Sequence, residues 1–235
     1  MTIAKILCIA TATLGLHIAS TSPNPPPTDD QRKMSPTRLE FLLGSYQLRI
    51  AQTYLYWILG AIEMIFVIAE FLPLPAWARS ALACGGDPTR VQPSATPTLM
   101  VGAALIICGA VLRLACYRAL GAFFTFELGI IKNHRLVTCG PYAVVRHPSY
   151  SGAILAYFGL LLYYGSPGSW VSECLIWGST AGVVSGIVYA FLMSFIVLGL
   201  TGRIPTEDEG LQREFGKEWE DYAAVVKYVL VPHVY

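Results

Sequence analysis

The chain has 235 residues, of which 54% are hydrophobic and only 13% charged, with a formal net charge of +1 and a mean hydropathy of +0.54. Soluble domains carry about 25% charged residues, so an ordinary soluble globule is excluded. The near-neutral balance, with no Lys/Arg-rich run, also excludes a surface built for nucleic acid.

A membrane span needs about 20 mainly apolar residues, within a range of ~17–25. Five stretches come close, predicting an all-α integral membrane protein of about five transmembrane helices. Residues 3–19 follow a lone Lys5 and end in IAS. They read as a first span, and the outline also fits a signal peptide. A retained span is the preferred reading, because the following chain lacks the disulfide-rich look of an exported domain. Residues 21–49, with the run PNPPPTDDQRK, form a linker whose composition cannot pack a core. The second span, 50–72, contains Glu63 and Glu70. An ionisable group inside a span is costly and turns toward a protein or water-filled interior, with Arg113 or Arg118 as candidate partners. The third, 99–115, is apolar until Arg113. The fourth, 150–164, is short and closes at GSPGS. The fifth, 171–200, is long enough to tilt or to begin with an irregular turn. The break at 165–169 makes the last two a tight helical hairpin.

Lys and Arg near span ends favour the cytosolic side. Arg32, Lys33, Arg38 and Arg49 place the first linker there. Arg113, Arg118, Lys132, Arg135 and Arg146 do the same for the third loop, and Arg203, Arg213, Lys217 and Lys227 for the tail. Residues 73–97 and 165–170 are poor in positive charge and fit the opposite side, which leaves the N-terminus outside. The organisation expected is a first span at 1–20, a cytosolic Pro-rich linker at 21–49, spans two and three within 50–126, and a functional region at 127–235.

The tail carries its own period. Leu211, Phe215, Trp219, Tyr222 and Val226 fall on one helical face, predicting a cytosolic amphipathic helix that rests on the bundle or in the membrane interface. Thr206 is a candidate N-cap, with Glu207, Asp208 and Glu209 favoured by the dipole of the first turn. Gly216 is a candidate break, since glycine inside a helix costs about 1 kcal/mol against alanine. The six cysteines show no C-x-x-C pair, and no histidines stand at zinc spacing, so no metal site and no thiol chemistry is expected.

The densest polar feature is GPYAVVRHPSYSG, from Gly140 to Gly152, immediately before an apolar run. Gly140 and Pro141 alone signal a turn, His147 alone an interfacial histidine, and Tyr142 and Tyr150 aromatic anchors at headgroup level. Arg203 and Glu207, four residues apart, alone suggest a helical ion pair worth about 0.2–0.5 kcal/mol. There is no G-x-G-x-x-G after a strand, which argues against a Rossmann-type methyltransferase.

Taken together, HRLVTCGPYAVVRHPSYSG (134–152) and RIPTEDEGLQREFGKEWEDY (203–222), separated by a hairpin of spans, resemble the isoprenylcysteine carboxyl methyltransferase family and its phospholipid methyltransferase relatives. The resemblance runs from about Glu127 onward. It implies an integral enzyme of the endoplasmic reticulum membrane, multi-pass with its active site facing the cytosol, that uses S-adenosylmethionine to methylate the C-terminal carboxylate of prenylated cysteine. Its partners would be prenylated protein C-termini or prenylcysteine lipids, with membrane lipid around it. The cofactor contacts it implies are Glu127, His134, Arg135, Leu136, Val137, Tyr142, His147, Pro148, Ser149, Tyr150 and Glu207; Arg203 would meet the substrate carboxylate. Arg203 and Glu207 are the implied catalytic pair. Glu127 stands where the family also has Gln, and Asp208 where a second Glu is common. A phospholipid amine or another amphipathic acceptor is the alternative within the same chemistry. A nicotinamide-dependent membrane reductase is a more distant one.

Overall fold

The computed structural model describes residues 2–26, 46–82, 94–126 and 134–234. Among these the architecture is helical throughout, with α1 (Thr2–Ser20), α2 (Tyr46–Ala69), α3 (Ala76–Leu82), α4 (Pro97–Leu120), α5 (Pro148–Gly165), α6 (Thr180–Gly202), α7 (Ile204–Phe215) and α8 (Lys217–Val225). Short 3₁₀ turns occupy Gly121–Phe123 and Gly140–Ala143, and a π-helical turn occupies Val171–Ile176. That π-turn is the irregular entry expected of the fifth apolar stretch. Local chemistry sets several starts: the Thr96 hydroxyl accepts the Leu99 N–H ahead of Pro97, and the Ser179 hydroxyl accepts the Gly182 N–H.

Four stretches, Ile3–Ser20, Tyr46–Ala69, Pro97–Phe123 and Thr180–Phe215, are helical, long enough and apolar enough to cross a membrane. The fourth expected span, 150–164, now α5, is not among them. It has 18 residues, and Tyr150, Tyr157, Tyr163 and Tyr164 dilute its hydropathy. Helix α2 begins at Tyr46, inside the segment read as linker, and the described part of that linker is otherwise confined to residues 21–26.

Helices α4 and α5 pack backbone to backbone. A Cβ added at Gly109 would lie 2.5 Å from the Gly152 carbonyl oxygen, and one at Gly159 would lie 2.7 Å from that of Gly102. The seven-residue spacing on both helices, 102/109 against 152/159, sets glycine against glycine at two levels of the seam. Small residues allow this approach in a medium where apolar burial alone drives little association. Ala12 and Leu16 of α1 close over Ile106, Leu99 and Tyr163 to complete the core.

One end of this core is tied by charge. The Lys5 ammonium lies 2.9 Å from Glu63, and both side chains are essentially inaccessible. Ser169 Oγ and the Trp170 N–H donate to the other Glu63 oxygen, and the Tyr163 ring faces Lys5 at 5.5 Å. Lys5, not Arg113 or Arg118, is therefore the partner of Glu63: the antiparallel run of α1 and α2 brings the start of one beside the end of the other. Near the same end Cys174 is disulfide-bonded, which the scattered cysteine spacing did not suggest. Cys116 and Cys139, toward the other end, are free thiols.

Helix α6 stands apart, with no buried residue along its length. Tyr189 packs on the core, and the polar contacts are Tyr157 Oη on the Ala190 carbonyl and Ser194 Oγ, and Gln52 Nε2 on Met193 Sδ at 3.2 Å. Its outer face shows Ile187, Phe191 and Leu198, as a lipid-facing helix would.

Candidate functional site

The polar ends of α4, α5 and α6 meet the tail. Helix α7 follows α6 after the single residue Arg203, which is its N-cap and makes no side-chain cap bond. Thr206 is therefore not the cap; it lies inside the first turn, because the chain re-enters helix directly behind Pro205. Gly216, at φ +54°, separates α7 from α8. The single tail helix expected from the period is thus two, bent where the glycine stands. Both press on the 134–150 segment. Phe215 approaches the His134 ring at 5.9 Å, Trp219 lies under the Arg146 guanidinium at 5.9 Å, and the Tyr222 hydroxyl donates to the Tyr142 carbonyl at 2.8 Å. The apolar face read from the sequence thus closes over the loop.

The C-terminal strand of chain beyond α8 clasps the same loop. Arg146 and His147 donate their backbone N–H groups to the carbonyls of Tyr228 and Val229, each at 2.9 Å, and Ser151 Oγ donates to that of Leu230. His147, 5% exposed, lies 2.9 Å from Asp208 and stacks on Tyr150 with 5.6 Å between ring centres. The Tyr150 hydroxyl donates to Glu207 at 2.6 Å, and Arg146 approaches Asp208 at 3.4 Å. Loop and tail are one hydrogen-bonded unit. Burial, with the Cys116 thiol and the Glu207 carboxylate nearby, pushes the Tyr142 hydroxyl well above its ordinary value, so it is a neutral hydroxyl at any working pH.

Arg203 and Glu207 do not form the simple i, i+4 ion pair. The Arg203 guanidinium donates to the Phe126 carbonyl at 3.1 Å, while Glu207 receives Tyr150. Both line a cavity of about 580 Å³ that also admits His134, Leu136, Val137, Tyr142, His147, Ser149 and Tyr150. Of the other residues expected there, Pro148 is fully buried and Arg135 is exposed, and neither lines it. Glu127 lies outside the described residues.

From this polar mouth the cavity continues between α2, α5 and α6 along Ala153, Ala156 and Leu160 on one wall and Met193, Ile196 and Val197 on the other. It ends near Gln52 and Tyr56. Sequence reasoning missed this apolar arm, because its walls are ordinary span residues that only the stand-off of α6 leaves uncovered. It also missed Arg113 as a wall residue of the mouth. The available signal was a lone basic residue where an apolar run would otherwise continue.

Fold and site together describe a helical membrane protein with an amphipathic cavity, polar at the loop–tail end and apolar between the helices. A family model for phospholipid methyltransferases matches residues 97–218, and the chain belongs to that family. Curated relatives include a probable protein-S-isoprenylcysteine O-methyltransferase of Oryza sativa subsp. indica, 30% identical over 128 residues, or 54% of this chain and 57% of the relative. Another is protein-S-isoprenylcysteine O-methyltransferase B of Arabidopsis thaliana, 30% identical over 124 residues, or 52% and 53% of the two chains. The aligned region thus spans a little over half the length of these relatives. A 7-dehydrocholesterol reductase of Danio rerio is 27% identical over 107 residues, covering 46% of this chain and 19% of that protein.

Proposed function

We propose that this protein transfers a methyl group from S-adenosylmethionine to the C-terminal carboxylate of a prenylated cysteine. The observation that carries the reading is the single cavity in which Arg203, Glu207 and the 134–150 loop form a charged mouth on an apolar arm. An acceptor with a carboxylate head and a long hydrocarbon tail matches both parts. Membership of a methyltransferase family and the names of the plant relatives support the same chemistry.

The residues present fit the cofactor. The volume lies within the ~300–1,000 Å³ of small-molecule pockets. Aromatic side chains at Phe123, Phe124 and Tyr142 offer flat surfaces, and Glu207 offers an anion. S-adenosylmethionine, when bound, supplies a methyl group on a positively charged sulfur. Glu207, fixed by the Tyr150 hydroxyl, would hold the amino group or ribose hydroxyls of the cofactor, with His134, Leu136, Val137, His147 and Ser149 around it. Arg203 would orient the acceptor through one carboxylate oxygen, leaving the other free to react. An α-carboxylate has a reference pKa of about 3.5, so it is ionised at neutral pH and no general base is required. The clasped loop and tail exclude water and fix the approach, which are the main contributions open to a protein in a direct displacement.

The orientation that fits is a cytosolic mouth in the endoplasmic reticulum membrane. The positive charges of the loop and tail favour it. A disulfide at Cys174, at the far end from the mouth, is the pairing an oxidising lumen permits. Transfer of radiolabelled methyl to a farnesylated cysteine analogue in membranes tests the assignment, with Arg203→Ala and Glu207→Ala expected to abolish it. No transfer to any prenylcysteine sinks the acceptor assignment, and label appearing in a phospholipid amine instead would favour the lipid-methylating alternative.

A further inference from the structure

Besides Arg49, Arg146 and Arg203, the cavity is lined by a buried arginine that no motif marks. Arg113 of α4 is 4% exposed, yet it lines the cavity together with Arg203, Tyr150 and Glu207. Its stem lies against the seam, where a Cβ on Gly152 would meet Arg113 Cγ at 2.8 Å. Its Nε donates to the Tyr117 hydroxyl at 3.0 Å, and its Nη1 to the Ser149 carbonyl at 3.0 Å and to Ser149 Oγ at 3.2 Å. The rings of Phe126 and Tyr117 flank the guanidinium at 4.7 and 5.5 Å.

Every one of these partners is neutral. Among the described residues no carboxylate lies within ion-pair distance of Arg113, and Nη2 makes no hydrogen bond to the protein. By contrast, the other deeply buried cation, Lys5, has its own glutamate at 2.9 Å. A buried ion without a counter-charge costs several kcal/mol, and removing one charge inside a span would be simple for a sequence that did not need it. The neutral contacts occupy Nε and Nη1 of a residue that lines the cavity and leave Nη2 for a ligand. That is the arrangement of an anion-binding arginine before its ligand arrives.

We propose that Arg113 is a carboxylate-binding residue of this cavity. The inference rests on the methyl-transfer reading, under which the cavity must receive two carboxylates: the amino-acid end of S-adenosylmethionine and the acceptor's own terminus. Of the four arginines that line the cavity, Arg49, Arg113, Arg146 and Arg203, Arg146 is paired with Asp208, and Arg113 is the most deeply buried. Arg113 takes one of the two carboxylates with its free Nη2 edge, and the arms of one experiment tell which.

The experiment measures equilibrium binding to detergent-solubilised, full-length protein, independently of turnover. One arm compares S-adenosylmethionine with its decarboxylated analogue; the other compares N-acetyl-S-farnesylcysteine with its methyl ester. For wild type and Arg113→Gln, the variant is expected to lose about 30-fold or more in affinity for one carboxylate ligand. It should bind the matching neutral analogue as the wild type does. A merely structural role would weaken the acid and its neutral analogue alike, and that result overturns the proposal, as does a variant within twofold of wild type for both acids. Arg113→Met, which keeps the stem on Gly152, is read in the same way should the Gln form not fold. Wild-type protein that binds both neutral analogues as tightly as the acids overturns the proposal without any variant. Failure of the wild type to bind any prenylcysteine would remove the acceptor reading and leave the cofactor arm to decide on Arg113.

Discussion

The two sides of this helical bundle are built on opposite rules. On one side α1, α4 and α5 touch through glycine and alanine, and a buried ion pair between Lys5 and Glu63, backed by Ser169 and Trp170, ties α1 to α2 at the far end. On the other side α6 has no buried residue and leans on the bundle through Tyr189 and a few hydroxyl, amide and thioether contacts. The close seam leaves no room for a ligand, whereas the loose side leaves a cavity of about 580 Å³. Stability and binding are thereby assigned to different helices of one small protein, and substitutions should separate them.

The largest effect is expected at Glu63. Removing one partner of a buried pair leaves the other charge stranded, typically at a cost of ~3–5 kcal/mol. Glu63→Ala should therefore lower the detergent unfolding midpoint severely or abolish recovery of folded protein. The double variant Lys5→Met/Glu63→Leu should regain most of the loss, since an apolar pair needs no counter-charge. A double variant no better than Glu63→Ala would show that the Ser169 and Trp170 contacts, not the charge, hold this end. On the loose side, Glu207→Gln is expected to reverse the pattern. Hydrogen bonds to charged groups contribute ~1.5–3 kcal/mol, so S-adenosylmethionine affinity should fall by roughly 10- to 150-fold. The unfolding midpoint should stay close to wild type, because Glu207 is one-third exposed. A large fall in midpoint would place Glu207 among the structural residues.

The seam gives the next effect. Gly109→Leu must force the side chain into the Gly152 carbonyl and Ala156, and overpacking of this kind typically costs ~1–3 kcal/mol. The same change at Gly165, which meets nothing within 4 Å, should leave the midpoint nearly unmoved. Sequence pattern puts Gly165 at the GSPGS break and Gly109 inside an apolar run, but nothing in it shows that Gly109 meets Gly152, which marks the limit of what the chain shows on its own. Apolar length revealed the helices and the hairpin because the hydrocarbon thickness dictates it. The tail face of Leu211, Phe215, Trp219 and Tyr222 was legible because helical period dictates it. Pairings across the bundle follow no local rule: Glu63 found Lys5, fifty-eight positions away in the chain, only because α1 and α2 run side by side. For the same reason Arg113 read as a span-end charge until Ser149 and Tyr117 were seen to hold it.

The smallest expected effect lies where the tail closes the cavity, and it has a pH signature. The Tyr222 hydroxyl donates to the Tyr142 carbonyl at 2.8 Å, and burial pushes its pKa from 10.0 up to about 12. Only the neutral phenol can donate. Because the folded value is raised, this contribution to stability is complete below pH 10, where the phenol is protonated in both states. It is lost between pH 10 and about 12, as the unfolded chain ionises first. Tyr222→Phe should therefore cost about 1 kcal/mol at neutral pH, the net value of one hydrogen bond. The gap between wild type and variant should narrow as the pH of the unfolding experiment rises past 10. If the bond also serves to keep α8 against the loop, the variant should release S-adenosylmethionine faster while α4 and α5 unfold at the wild-type midpoint. Equal release rates would mean that the clasp through Tyr228, Val229 and Leu230 holds the loop unaided, and that the Tyr222 contact adds stability to the tail alone.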